Sequence, residues 1–288
     1  MFLKFQKSME NTPMAYALED EFGDVIGKAR RGQHLSPSQI ATATGITETE
    51  LARMEQYILK PTETQVHRLA EVLNLDSTKL LDIATEQWEP EPPQQMSDSD
   101  LEVITISAPV GGWPVNAYLL ICQTTNDAAI IDTAAHPDLI LEQVDAHNVN
   151  PTAILLTHAH SDHTDGLPKI QTATGCDTYI HTNEPKPQSE TRLREVAHGD
   201  TLTVGELTVR VVNTPGHTPG GCSFIAQNVA FVGDAIFAGS VGGPNISLQD
   251  EIDSVRANLL SLPDGVRLFP GHGPSTTVGE EKAHNPFF

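Results

Sequence analysis

The sequence predicts an α/β layered domain preceded by a small all-α unit. Three observations carry this expectation. Apolar strand-like runs alternate with helical runs from residue 101 onward. Residues 86–100 (EQWEPEPPQQMSDSD) are rich in proline and acids and lack periodicity, as linkers are. The residues before them have helical periodicity and closely spaced capping signals. The expected division is an all-helical unit over 1–85, a linker over 86–100 and a larger domain over 101–288. A chain of 288 residues with 39% hydrophobic and 19% charged side chains has room for such a pair.

In the helical unit, Phe22, Val25, Ile26 and Ala29 share one helical face. Three capping boxes follow: Ser36 with Gln39, Thr47 with Glu50, and Thr62 with Gln65. Pro37 suits a first turn, and Gly45 ends the helix begun at Ser36. Val66, Leu69, Ala70 and Leu73 mark a further amphipathic helix. In the larger domain, strands are expected over 115–122, 128–132, 153–157, 207–212 and 229–232. Helices are expected over 138–147, with Pro137 at its first turn, and from Ser247 with Asp250, carrying Ile252, Val255 and Leu259.

Composition excludes several classes. No apolar run is long enough to span a bilayer, and no secretory leader is read at the N-terminus. Cys122, Cys176 and Cys222 are odd in number and contain no Cys-x-x-Cys pair, so a disulfide framework is not expected and a cytoplasmic home is. A net charge of −21 argues against broad nucleic-acid binding, which needs Lys and Arg against phosphates.

Helix, glycine turn, helix is also the layout of a DNA-binding motif. Residues 18–85 resemble the Xre/Cro-like helix-turn-helix family, carried by QHLSPSQIATATGITETELARMEQYILKPTETQVHRLAEVLNL. The second helix of the motif offers Glu48, Glu50 and Glu55 against a single basic residue, Arg53. Acids facing phosphates are costly, so no DNA-binding residue is assigned. Lys28, Arg30 and Arg31 form a small basic cluster in the first helix instead. Protein contact or homodimerisation is the alternative use of such a unit.

The chemistry lies in histidine placement. After the buried strand the chain reads Thr157-His158-Ala159-His160-Ser161-Asp162-His163. Imidazole and carboxylate donors suit Zn²⁺, Fe or Mn²⁺. Residues two apart in an extended loop project to one side, so His158 and His160 can grip one ion. Asp162 and His163 lie just beyond, at a helix start, and can turn toward a second. Three later strands each end in a metal-competent residue held by Gly or Pro: His217 in TPGHTPGG, Asp234 in FVGD and His272 in FPGHG. His181, His198 and His284 are expected to be ordinary polar residues, and His34, His67, His136 and His147 to be solvated.

HAHSDH, GHTPG, GDA and PGHG, in this order across 101–288, resemble the metallo-β-lactamase superfamily. The resemblance implies an αββα sandwich with two metal ions at one edge. It implies His158, His160 and His217 on one ion, Asp162, His163 and His272 on the other, and Asp234 bridging. Asp132, in AIIDTA, matches a position that hydrogen-bonds a ligand without being one. The implied reaction is hydrolysis of a small-molecule substrate by a metal-bridging hydroxide, with Asp162 also orienting it and moving its proton.

GDAIFAGSVG and the tail FPGHGPSTTVGEEKAHNPF are similar to glyoxalase II and its short relatives. That implies cleavage of a thioester such as an acylglutathione. Many relatives place a basic residue after the GSVG-like turn, where this chain has Gly243-Pro244-Asn245, and Lys282 is a candidate substitute. Persulfide dioxygenase, lactonase and phosphodiesterase activities share this metal core. A DNA-binding, metabolite-responsive regulator is the alternative from a different class.

Overall fold

The computed structural model describes residues 18–92, 100–110, 113–134, 136–187 and 192–288. Residues 93–99 of the expected linker lie outside them. Five helices come first: α1 (Phe22–Gly32), α2 (Pro37–Thr44), α3 (Glu48–Glu55), α4 (Glu63–Val72) and α5 (Ser77–Ala84). The capping boxes at Ser36, Thr47 and Thr62 all form, and Gly45 closes α2 in the left-handed conformation at φ 73°. Helix α5, capped by Asp76, has no counterpart among the helices expected from the sequence; its short apolar stripe is too brief for periodicity to show.

Two six-stranded sheets follow. The first runs β1 (Leu101–Val110), β2 (Trp113–Cys122), β3 (Asp127–Ile131), β4 (Asn150–Leu155), β5 (Asp177–His181) and β6 (Leu193–Val196), in spatial order. The second holds β7 (Thr201–Val204), β8 (Leu207–Asn213), β9 (Cys222–Ala226), β10 (Val229–Gly233), β11 (Arg267–Pro270) and β12 (Thr276–Thr277), also in chain order. Strands β3 to β6 pair parallel, as do β10 and β11.

Alternation along β2 shows how the layers arise. Tyr118, Leu120 and Cys122 face Phe224 and Phe231 between the sheets. Ala117, Leu119 and Ile121 face outward beneath α6 (Pro137–Ala146) and α8 (Leu167–Thr174). On the other side, α9 (Leu248–Asn258) packs Val255 over Val212 and Ile225. The result is helix, sheet, sheet, helix, and a strand buried on both faces reads as the continuous apolar run seen in the sequence. Strand β4 ends at Leu155, two residues earlier than expected; the Leu156 amide still donates to the Tyr179 carbonyl of β5, and Thr157 turns to Asp132. All three cysteines are buried and free. Among the described residues no helix is long and apolar enough to cross a membrane.

The helical unit and the sandwich share one hydrophobic cluster. Val241, Leu248 and Phe287 pack with Ile26, Leu80 and Ile83. The backbone N–H of Asp76 donates to the Pro286 carbonyl at 2.8 Å, and Trp88 stacks on His284 at 4.8 Å. The expected basic cluster is not a surface patch. Lys28 is buried against Asp20, and Arg30 is paired with Glu55 at 2.7 Å, leaving only Arg31 exposed. On α3, Glu48, Thr49 and Arg53 face solvent.

The last helix, α10 (Val278–His284), buries Glu281 completely. Its carboxyl accepts from Thr276 Oγ1 at 2.7 Å, Asn285 Nδ2 at 2.8 Å and the Gly239 amide at 3.1 Å. Burial outweighs these donors and lifts its pKa from 4.5 to about 7. The folded state therefore holds this proton more tightly than the unfolded chain. That contribution is complete below about pH 4.5 and lost as pH rises to about 7, a change on the order of 3 kcal/mol. Chemical denaturation of wild type and Glu281→Gln across this window is expected to show the wild type losing stability relative to the variant as pH rises.

Candidate metal centre

All seven candidate ligands converge at one edge of the sandwich. Each arrives from a strand end or the loop after it. His158 and His160 follow β4, Asp162 and His163 sit on the one-turn helix α7 (Ser161–Thr164), His217 follows β8, Asp234 follows β10 and His272 follows β11. Ligand-competent atoms fall into three overlapping groups, each within 4.8 Å: His158, His160 and His217; His158, His163 and Asp234; Asp162, His163 and His272. Asp234 lies between the outer groups. Its carboxylate is 3.3 Å from His163 Nε2 and 3.5 Å from both His217 Nε2 and His272 Nε2.

The far ring nitrogens are engaged, which leaves the near ones for the centre. His217 Nδ1 donates to the Gly243 carbonyl at 2.7 Å, and His272 Nδ1 to that of Pro114 at 2.8 Å. His163 Nδ1 lies 2.9 Å from Asp132 Oδ2. Asp132 also accepts from the Thr157 amide and hydroxyl, both at 2.8 Å, and so supports the ligands without joining their groups. Its φ of 54° is unusual for a residue with a Cβ and aims the carboxylate under the cluster. Such partners fix the tautomer and direction of a ligating imidazole.

The site's fit to metal is tested by its orphans. Among the described residues, His158 Nε2, His163 Nε2 and Asp234 Oδ1 are buried and have no hydrogen-bond partner. Unpaired buried polar atoms are costly, and three facing one another mark a place for a cation that all can share. Charge agrees. Burial pushes the pKa of His158 and His217 down, keeping both neutral. Burial acts the same way on His163 and His272, but Asp234, with Asp132 or Asp162, outweighs it and lifts them to about 10 and 11, so the acids draw positive charge here, either as protons on these two rings or as an ion that displaces them. Asp234 itself is held far below the usual carboxylate range by His272 and His163 against its burial. The His/Asp cluster is suited to a dinuclear metal site.

Glu184 was not among the residues expected from the sequence. Buried in the turn after β5, it accepts from the Ala159 amide and the Gly220 amide, both at 2.8 Å. One carboxylate thus ties the His158–His160 loop to the His217 loop. No motif marks it, because the signal is a buried acid aimed at backbone 25 and 36 residues away. Of the remaining histidines, His181 is buried and accepts from the Asn183 amide at 3.2 Å, and His284 stacks on Trp88. Lys282 pairs with Asp264 at 2.7 Å.

Glu184→Ala leaves two loop amides without acceptors. Stability is expected to fall by roughly 2–4 kcal/mol in chemical denaturation. Metal retention against a chelator is expected to weaken in the protein that remains folded. Unchanged stability would contradict this role.

A sequence model of the metallo-β-lactamase superfamily matches residues 110–272. A protein of Mycobacterium leprae is 33% identical over 208 residues, covering 62% of this chain and 95% of that one. The hydroxyacylglutathione hydrolase GloC of Haemophilus influenzae is 29% identical over 201 residues, covering 60% of this chain and 95% of GloC. Among solved structures, the di-iron-bound form of TTHA1623 superposes with a TM-score of 0.54 at 31% identity, over 64% of this chain and all of its own. The helices of residues 22–84 lie outside the matched family region. With the two-sheet sandwich and the edge cluster in place, these matches make the chain a member of the metallo-β-lactamase superfamily of metallo-hydrolases.

Proposed function

We propose that this chain is a dinuclear metallo-hydrolase acting on a thioester of the acylglutathione kind. The observation that carries the reading is the set of three buried, unpartnered ligand atoms on His158, His163 and Asp234 at the meeting point of the seven donors. His158, His160 and His217 would hold one ion, Asp162, His163 and His272 the other, with Asp234 shared. Zn²⁺ is the proposed occupant, and the same donors accept Fe or Mn²⁺. When bound, such ions lower the pKa of water toward neutrality and polarise a carbonyl oxygen.

The chain's own residues supply the rest. Asp132 and the Gly243 and Pro114 carbonyls keep three imidazoles in the ligating tautomer. Of the three acids at the centre, Asp162 is the open one, its side chain 34% exposed against 3% for Asp132 and 8% for Asp234. It is placed to orient the attacking water and take up its proton. Ile246, 59% exposed, stands on the loop whose Gly243 carbonyl holds His217. The choice of thioester rests on the similarity to the hydroxyacylglutathione hydrolase and on the GDAIFAGSVG and FPGHG segments.

Purified protein of measured metal content is expected to hydrolyse an acylglutathione, and chelator is expected to abolish the rate. Protein holding two ions but inert toward acylglutathione would contradict the thioester and move the search to lactones and phosphoesters. Asp234→Ala is expected to lower kcat/KM by at least roughly a hundredfold and to retain less metal. Full turnover with both ions in that variant would contradict the shared-ligand role.

A further inference from the structure

We propose that the N-terminal helical unit is a fixed wall of the active centre and that Lys28 is its positioning residue. The segment from Asp234 to Gly243 has one end at the centre through Asp234 and the other through the Gly243 carbonyl on His217. Between them, Phe237 and Ser240 close a tight turn by reciprocal backbone hydrogen bonds of 3.0 and 3.1 Å. The turn lies outside both sheets. It is held by what lies around it, and much of that is the helical unit.

Lys28 enters from α1. Its Nζ donates to the Val241 carbonyl at 2.7 Å and to Asp20, and it lies 4.7 Å over the centre of the Phe237 ring. Phe237 in turn sets its ring against His272, with centroids 5.6 Å apart and planes at 77°. A buried ammonium is expensive to keep, and this one is compensated by one carboxylate, one carbonyl and one aromatic face. Two of those three partners belong to the active-centre segment. Ile83 and Trp88 complete the wall. A Cβ on Gly239, whose φ is 73°, would come within 2.9 Å of Trp88 and 3.0 Å of Ile83. At the other ligand turn, Glu19 packs on Gly273, directly after His272.

Lys28 therefore fixes the segment that carries Asp234, supports His217 and abuts His272, without touching a ligand atom itself. The paired Lys28 is also not available as a surface cation. The inference rests on the proposed metal centre, in that the geometry it protects is that of the proposed ligands.

The test uses the full chain with Lys28→Met, and with Asp20→Asn and Lys28→Met together. The double variant removes both charges of the pair, so Asp20 is not left as an orphaned carboxylate if the single variant fails to fold. Two quantities are read: amide hydrogen exchange of residues 237–243 in metal-free protein, and Zn²⁺ retention against a chelator. The expected result is a folded double variant with faster exchange confined to 237–243 and Zn²⁺ held roughly tenfold more weakly. A folded double variant matching wild type in exchange or in Zn²⁺ retention would overturn the role of Lys28. Wild-type protein that takes up no Zn²⁺ would instead overturn the proposed metal centre, which the exchange measurement does not depend on.

Discussion

The buried carboxylate of Asp234 is the group around which this structure is arranged. It sits 8% exposed, with one oxygen unpartnered and three imidazole nitrogens within 3.5 Å. A charge in that position is tolerable only if positive charge converges on it. The fold achieves convergence by ending β4, β8, β10 and β11 at the same edge, so that strand direction sets ligand direction. Loops then add what strands cannot, namely backbone carbonyls and carboxylates that turn each ring the right way.

Holding such a cluster places demands well away from it. Asp132 accepts a strained backbone conformation to reach His163 and Thr157 together. Glu184 bridges two ligand loops by their amides. Glu281 and Asn285, in the C-terminal tail, bond the Gly239 amide and the Ser240 carbonyl beneath the Asp234 segment. The helical unit packs on the same segment through Lys28, Ile83 and the following Trp88. Rigidity of the centre is thus distributed over residues from both ends of the chain, which is what a preorganised site requires.

Much of this was legible in the sequence, and the boundary of legibility is physical. Ligand loops announce themselves because histidine and aspartate, held by glycine and proline at the end of an apolar strand, suit metal binding and little else. Helix starts were equally clear, since a capping box at Ser36, Thr47 or Thr62 is a local device involving residues three apart. The interactions that escaped are long-range. Glu184 reads as one acid among 38 Asp and Glu residues. Lys28 reads as part of a basic cluster, whereas its partners at Val241 and Phe237 are more than 200 residues away. The docking of helices onto the sandwich depends on which faces are left apolar after each unit folds, and periodicity alone does not pair one face with another.

Diffraction from Zn²⁺-loaded crystals, recorded on both sides of the zinc absorption edge, tests whether two ions occupy this cluster. Two anomalous peaks per chain are expected, one among His158, His160 and His217, the other among Asp162, His163 and His272, with Asp234 between them. A single peak, or peaks away from these residues, would contradict it.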